Sequence, residues 1–277
     1  MAAGPSIPHY LWAAGHALVL VCTLYSLLGV VTFKPHPYAY KLSYLGATVS
    51  WGIVVYKSLG IPSLNRAYLQ RALLDENVQY LLLALYWNFA EVRRTPIPLT
   101  LVPFATFSLF HTLTFVRSML PKPVSASKKT DSTSSSKNAD GTPKTATPAA
   151  ANGGALANLS KTLQVWIKKN YESAMLFVSY YEVIVIAGRV VLGALTWRNR
   201  LITPLFFAHF LRLRFHMSSQ TRQAFGYVNQ QLDTLIAHPS CPEPVKKGLD
   251  LGRDLIVRYG SSILQAQPQP QAAQPAR

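Results

Sequence analysis

YLWAAGHALVLVCTLYSLLGVVTF, residues Tyr10 to Phe33, holds no formally charged side chain over 24 positions. At about 1.5 Å of rise per residue, such a helix reaches roughly 36 Å, enough to cross a hydrocarbon core of about 30 Å. The chain is therefore built for a bilayer, and its remaining segments are read against that solvent.

Downstream, Lys34-Pro35-His36-Pro37 breaks the first span. A second span is expected from about Leu42 to Ile61, with Lys41 and Lys57 near its ends able to reach the interface. Gly46 and Ser50 lie one turn apart, as do Ser43 and Ala47. Small residues at that spacing let helices approach closely in lipid. Pro62 ends the span, and Ser63 reads as the cap of a short helix, Leu64 to Glu76, that mixes Arg66, Gln70 and Arg71 with leucines. That mixture suits an interfacial helix or a tight connector. A third apolar block, Val78 to Ala90, reaches only about 20 Å, so it crosses if the preceding helix continues into it or forms one arm of a shallow hairpin. The fourth block is Ile97 to Leu120, and residues 1–120 are thus the first membrane region.

Pro121 to Ser160 is rich in Ser, Thr, Lys, Ala, Gly and Pro and reads as a disordered cytosolic loop, because it cannot bury enough apolar surface to offset its ordering entropy. A second membrane hairpin is expected over 161–217, from the blocks Tyr171 to Trp197 and Leu201 to Phe215. The count of crossings stays open between four and six. The fold class is accordingly all-α, a polytopic helical membrane protein with C-terminal amphipathic helices.

Composition agrees with this reading. The 277 residues are 49% hydrophobic and 14% charged, and 27 Lys+Arg against 11 Asp+Glu give a formal charge of +16. Such an excess suits the cytoplasmic flanks of membrane spans. No nucleic-acid module is present, so nucleic acid is not expected as a partner. Cys22 and Cys241 form neither a disulfide framework nor a zinc pattern. The first lysine or arginine is Lys34, and the first apolar block is too long for a cleaved signal, so it reads as a retained anchor.

The C-terminal region, 218–264, carries two amphipathic patterns. Phe225, Val228, Leu232, Leu235 and Ile236 share one helical face. After the breaker His238 to Pro242, Val245, Leu249, Ile256, Tyr259 and Ile263 form a second stripe. Lys246, Lys247, Asp250, Arg253, Asp254 and Arg258 take the opposite side. Three readings stay open: contact with a membrane surface, packing of the helices on each other, and a partner groove. The candidate membrane- or partner-binding residues are Val245, Lys246, Lys247, Leu249, Arg253, Ile256, Arg258, Tyr259 and Ile263. Residues 265–277 read as an unstructured Gln/Pro tail.

Ionisable residues inside spans are costly and are functional suspects by default. Glu182 and Arg189 lie about 10.5 Å apart along one helix face, and His111 and His16 sit in other spans. An enzyme or transporter would gather Glu182, His111 and Arg189 around a polar cavity; the alternative is polar packing between helices. No HExxH, nucleophile elbow, P-loop or GxGxxG is present, the histidines do not cluster at metal-ligand spacing, and no cofactor is expected.

NRAYLQRALLDENVQYLLLALYW (Asn65 to Trp87) resembles the corresponding stretch of the transmembrane protein 33 family, which includes a fungal pore-membrane nucleoporin and endoplasmic-reticulum relatives. PFATFSLFHTLTFVRSML (Pro103 to Leu120), YYEVIVIAGR (Tyr180 to Arg189) and FFAHFLRLRF (Phe206 to Phe215) add to the likeness. The resemblance implies a non-enzymatic, multi-pass protein of the endoplasmic reticulum and nuclear envelope. It further implies roles in nuclear pore distribution or assembly and in tubular membrane organisation. Membrane lipids, nucleoporins, reticulon-type proteins and an import receptor of the karyopherin class are the partners it implies. By the same likeness, Val245 to Leu264 is the membrane-binding, receptor-engaging element.

Overall fold

The structure, a computed structural model, describes residues 6–63, 65–90, 96–121, 148–239 and 241–261, with side chains throughout except at 90, 148–154 and 255–261. Among the described residues the fold is all helix, without a strand. Among the described residues, three helical segments are long and apolar enough to cross a membrane: Ile7–Val31, Pro98–Met119 and Ala155–Leu195. The chain divides into two compact units, Met1–Tyr181 and Glu182–Arg277.

In the first unit, α1 (Ile7–Val31) and α2 (Pro37–Leu59) form an antiparallel hairpin. Each begins with proline in its first turn, where the missing N–H costs nothing. The turn between them places Phe33 at φ 55, with the Lys34 N–H on the Gly29 carbonyl at 2.9 Å. Small residues line the crossing. Gly15 faces Gly46 and Ser50, the Ser50 hydroxyl donates to the Trp12 carbonyl at 2.9 Å, and Thr23 and Ser43 hydroxyls pair at 3.0 Å. In lipid such hydrogen bonds and close backbone contact do what the hydrophobic effect does in water.

The short helix between α2 and the third block differs from the sequence expectation. α3 runs Arg66–Leu73, and its cap is Asn65, whose side chain accepts the Tyr68 N–H at 2.6 Å; Ser63 lies outside the helix. α3 also stops before the third block. Asp75 turns the chain and caps α4 (Glu76–Ala90), its Oδ1 accepting the Asn77 and Val78 N–H groups at 2.8 and 3.1 Å. α4 stands alone with 15 residues, roughly 22 Å of helix. It packs on α2, with Leu83 and Trp87 buried.

A 3₁₀ turn at Pro98–Thr100 leads into α5, Leu101–Met119, which packs on α1. The Tyr44 hydroxyl donates to Thr100 Oγ1 at 2.7 Å, and the Thr100 hydroxyl in turn donates to the Ile97 carbonyl at 2.7 Å. Trp51, Tyr80 and Phe104 interlock edge to face in the core around this chain of bonds. α6 runs Pro148–Tyr180 and meets α5 through Trp166 and Tyr171 on Phe110. Its start inside the stretch expected to be a disordered loop is a correction to the 121–160 boundary. Its alanines favour this N-terminal extension while Asn152, Gly153 and Gly154 oppose it, so the turns ahead of the apolar span propagate from a helix already nucleated by packing.

The second unit opens within a π-helical segment, Tyr181–Ile186, and continues into α7, Ala187–Leu195. A turn with Trp197 at φ 56 leads to α8, Ile202–Met217. The two amphipathic helices follow as α9 (Ser219–Ala237) and α10 (Glu243–Ser261). The Ser218 hydroxyl caps α9 by accepting the Thr221 N–H at 3.2 Å.

Candidate functional site

The tail is built stepwise. The first half of the α9 stripe is packed: Thr221 and Ala224 are buried, and Phe225 meets Phe215 of α8 edge-on at 5.5 Å. Val228, Leu232 and Ile236 are half-buried, and Leu235 is exposed. The packing of the stripe thus loosens along the helix.

α10 begins where the Pro242 carbonyl accepts the Val245 and Lys246 N–H groups, at 2.9 and 3.1 Å. Arg253 Nη1 and Asp233 Oδ1 lie 2.6 Å apart, tying the polar side of α10 to α9. Lys246 pairs with Glu243 at 3.4 Å, while Lys247 is exposed. Leu249 is half-buried, and Val245 keeps 48% of its surface exposed. Leu251, which lies off the stripe and which periodicity alone passes over, is 64% exposed. The backbone at Ile256, Arg258 and Tyr259 is helical, but their side chains, like the whole of Ile263, lie outside the described residues. Of the candidate tail residues, Arg253 is held within the tail; Val245 and Lys247 face outward. An exposed valine on the apolar stripe and an exposed ammonium group on the polar side are chemistry suited to a lipid surface or an acidic partner.

The intramembrane polar residues fall into separate clusters. In the first unit, His16 is buried and its Nδ1 lies 3.0 Å from Ser108 Oγ. The His111 ring is 4.6 Å from it, and Trp12 and Trp51 close on it edge-on, each at 5.0 Å. In the second unit, Glu182 is buried on the π segment and pairs with Arg214 of α8, Nε to Oε2 at 3.8 Å. Arg189, half-buried, extends over Gly193 beside Asn199, where a Cβ would stand 2.6 Å from its Nη1. The trio Glu182, His111 and Arg189 is therefore divided between the two units.

Arg214 is the polar residue that spacing did not single out. It lies 32 positions from Glu182, and its only sequence signal is a cation inside the apolar run FLRLRF. Its role becomes visible only once α8 folds back on the π segment. Among the described residues, no three His, Cys, Asp or Glu side chains gather as a metal site.

Comparison with known proteins places the chain. The family model described as Transmembrane protein 33/Nucleoporin POM33 matches residues 5–262. The chain is 29% identical to Nucleoporin POM33 of Chaetomium thermophilum, over 87% of this chain and 82% of that protein. It is 27% identical to Tetra-spanning protein 1 of Schizosaccharomyces pombe, over 95% of this chain and 88% of that protein. It is 24% identical to the Pore membrane protein of 33 kDa of Saccharomyces cerevisiae, over 94% of this chain and 86% of that protein. No solved structure matches it.

Proposed function

The chain belongs to the Transmembrane protein 33/Nucleoporin POM33 family, and on that premise we propose that it is a non-enzymatic organiser of the endoplasmic-reticulum and nuclear-envelope membrane. Its work is to favour curvature, at pore rims and along tubules, and so to contribute to nuclear pore distribution or assembly. Two relatives carry the pore in their names, which supports placement at the nuclear envelope and association with nucleoporins. Contact with reticulon-type proteins and a karyopherin-class receptor belongs to the same proposal.

The observation that carries the reading is the amphipathic division of α10: Val245, on the apolar stripe, keeps 48% of its surface exposed, Lys247 is exposed on the polar side, and Arg253 ties the helix to α9. A helix seated in one leaflet with its apolar edge in the acyl boundary expands that leaflet. The 16 residues of α8 reach about 24 Å, less than a full crossing, and suit a hairpin occupying more of one leaflet than the other. The pairing of Glu182 with Arg214 supports a hairpin-fixing role for these charges rather than catalysis or transport.

The test is reconstitution of the full chain into vesicles, with tubule formation followed by electron microscopy. Wild-type protein narrows the vesicles into tubules, and the Leu249→Asp, Ile256→Asp double variant does so much less. Equal tubulation by both would remove the tail from the mechanism.

A further inference from the structure

We propose that α3, not only the C-terminal tail, lies on the bilayer surface, with Leu69 and Leu73 in the acyl boundary and Arg66 and Arg71 on anionic headgroups. The inference rests on the reading of the chain as a bilayer protein; it does not depend on the curvature mechanism.

Three observations place it there. The first is topological. α1 is a membrane span, and α2 runs antiparallel to it along the Gly15/Gly46 crossing. α4 packs back on α2, so the end of α2 and the start of α4 share one membrane face. α3 joins them over a short distance and is confined to that face. It is also clamped there: buried Gln79 of α4 donates its Nε2–H to the Leu73 carbonyl at 2.8 Å.

The second is the division of the α3 surface into three edges. At 100° per residue, Tyr68 and Ala72 lie together, Leu69 and Leu73 come next, and Arg66, Gln70 and Arg71 complete the turn. Tyr68 and Ala72 are half-buried, so that edge rests on protein. Leu69 and Leu73 keep 46% and 48% of their surface exposed. Arg66, Gln70 and Arg71 are exposed. A helix wholly in water would leave these leucines wet, and a helix packed into the bundle would bury them. A helix lying in the interface satisfies all three edges at once.

The third is charge. From Lys57 to Leu74 the chain holds Lys57, Arg66 and Arg71 and no acidic residue. Asp75, which follows, is occupied in capping α4. Each basic residue near an anionic leaflet favours the seated state roughly fivefold, so the two arginines together contribute up to about thirtyfold.

The experiment uses the full chain in lipid nanodiscs, with Cys22→Ala and Cys241→Ala as background. A single environment-sensitive NBD probe is placed at Leu69→Cys, Leu73→Cys, Gln70→Cys or, as a mid-span reference, Val21→Cys. Probes at 69 and 73 should be quenched by doxyl groups near the headgroup end of the lipid and shielded from aqueous iodide; the probe at 70 should behave oppositely. Adding phosphatidylserine should raise lipid quenching at 69, and Arg66→Gln with Arg71→Gln should abolish that rise. If the Val21 probe reports lipid while 69 and 70 are equally open to iodide, the inference is overturned and the membrane reading survives. If 69 reports lipid but the full chain fails to tubulate vesicles, this inference stands and the curvature mechanism falls.

Discussion

Replacing Gly46 by alanine should loosen the α1–α2 hairpin, although the same change six residues along the helix, at Gly52, should not. A Cβ on Gly46 would stand 2.7 Å from the Gly15 carbonyl oxygen and 3.3 Å from Leu18 Cβ and Cδ2. An unstrained C···O contact needs about 3.3 Å or more, so the helices must part locally by roughly 0.6 Å. The Ser50–Trp12, Thr23–Ser43 and Ser43–Val19 bonds, at 2.9, 3.0 and 3.3 Å, would then stretch to the edge of hydrogen-bonding range or past it. Interhelical bonds in lipid contribute about 0.6–2 kcal/mol each, and the widened gap weakens neighbouring dispersion contacts by about a quarter. Alanine returns about 1 kcal/mol through helix propensity. The net expectation is a loss of about 1–3 kcal/mol, or roughly five- to 150-fold in the unfolding equilibrium. Gly52 supplies the internal control, because a Cβ there meets nothing within 4 Å. Gly52→Ala should be neutral or stabilising by up to about 1 kcal/mol. Reversible unfolding in mixed micelles of dodecyl maltoside and dodecyl sulfate measures both. Equal effects of Gly46→Ala and Gly52→Ala would refute the close-crossing argument.

Asn65→Ala should raise amide exchange across Arg66–Leu73 about fivefold by removing the α3 cap, and Ser63→Ala should leave it unchanged, as read by hydrogen–deuterium exchange mass spectrometry. Arg214→Leu leaves the buried Glu182 carboxylate without its ion pair and should cost about 3–5 kcal/mol in the same micelle assay. Glu182→Leu with Arg214→Leu should recover most of that loss, because apolar replacement of a buried pair is often neutral. A double variant as unstable as the single one would show that the pair does not explain the hairpin's stability. Asp233→Ala should weaken the docking of α10 by no more than about 1 kcal/mol, an effect that fades with salt, because the pair is half-exposed. Exchange rates across Glu243–Ser261 at low and high salt provide the measurement.

Much of the architecture is legible in local pattern. An uncharged run such as Tyr10 to Phe33 specifies a membrane helix from length and apolarity, and the stripes of α9 and α10 follow from a period of 3.6 residues. The choice of Asn65 over Ser63 as cap was less legible. Both residues are good capping types, and it is the extended Asn65 backbone, with its side chain on the Tyr68 N–H, that marks the cap. The separation of α3 from α4 turns on Asp75, whose carboxylate caps the next helix instead of sitting inside a continuous one. In the candidate tail, periodicity places Val245 and Leu249 on one stripe but could not show that Arg253 is engaged by Asp233.

The residues alone determined the solvent, the helical class and the amphipathic edges, because these depend on composition and spacing over one or a few turns. Tertiary structure decided which distant groups meet. His16 finds Ser108 across 92 positions, and Glu182 finds Arg214 across 32, with no periodic signal linking either pair. Partner choice inside a bilayer is a property of how helices cross, and a crossing is set by the joint fit of two surfaces that a linear pattern describes only one at a time.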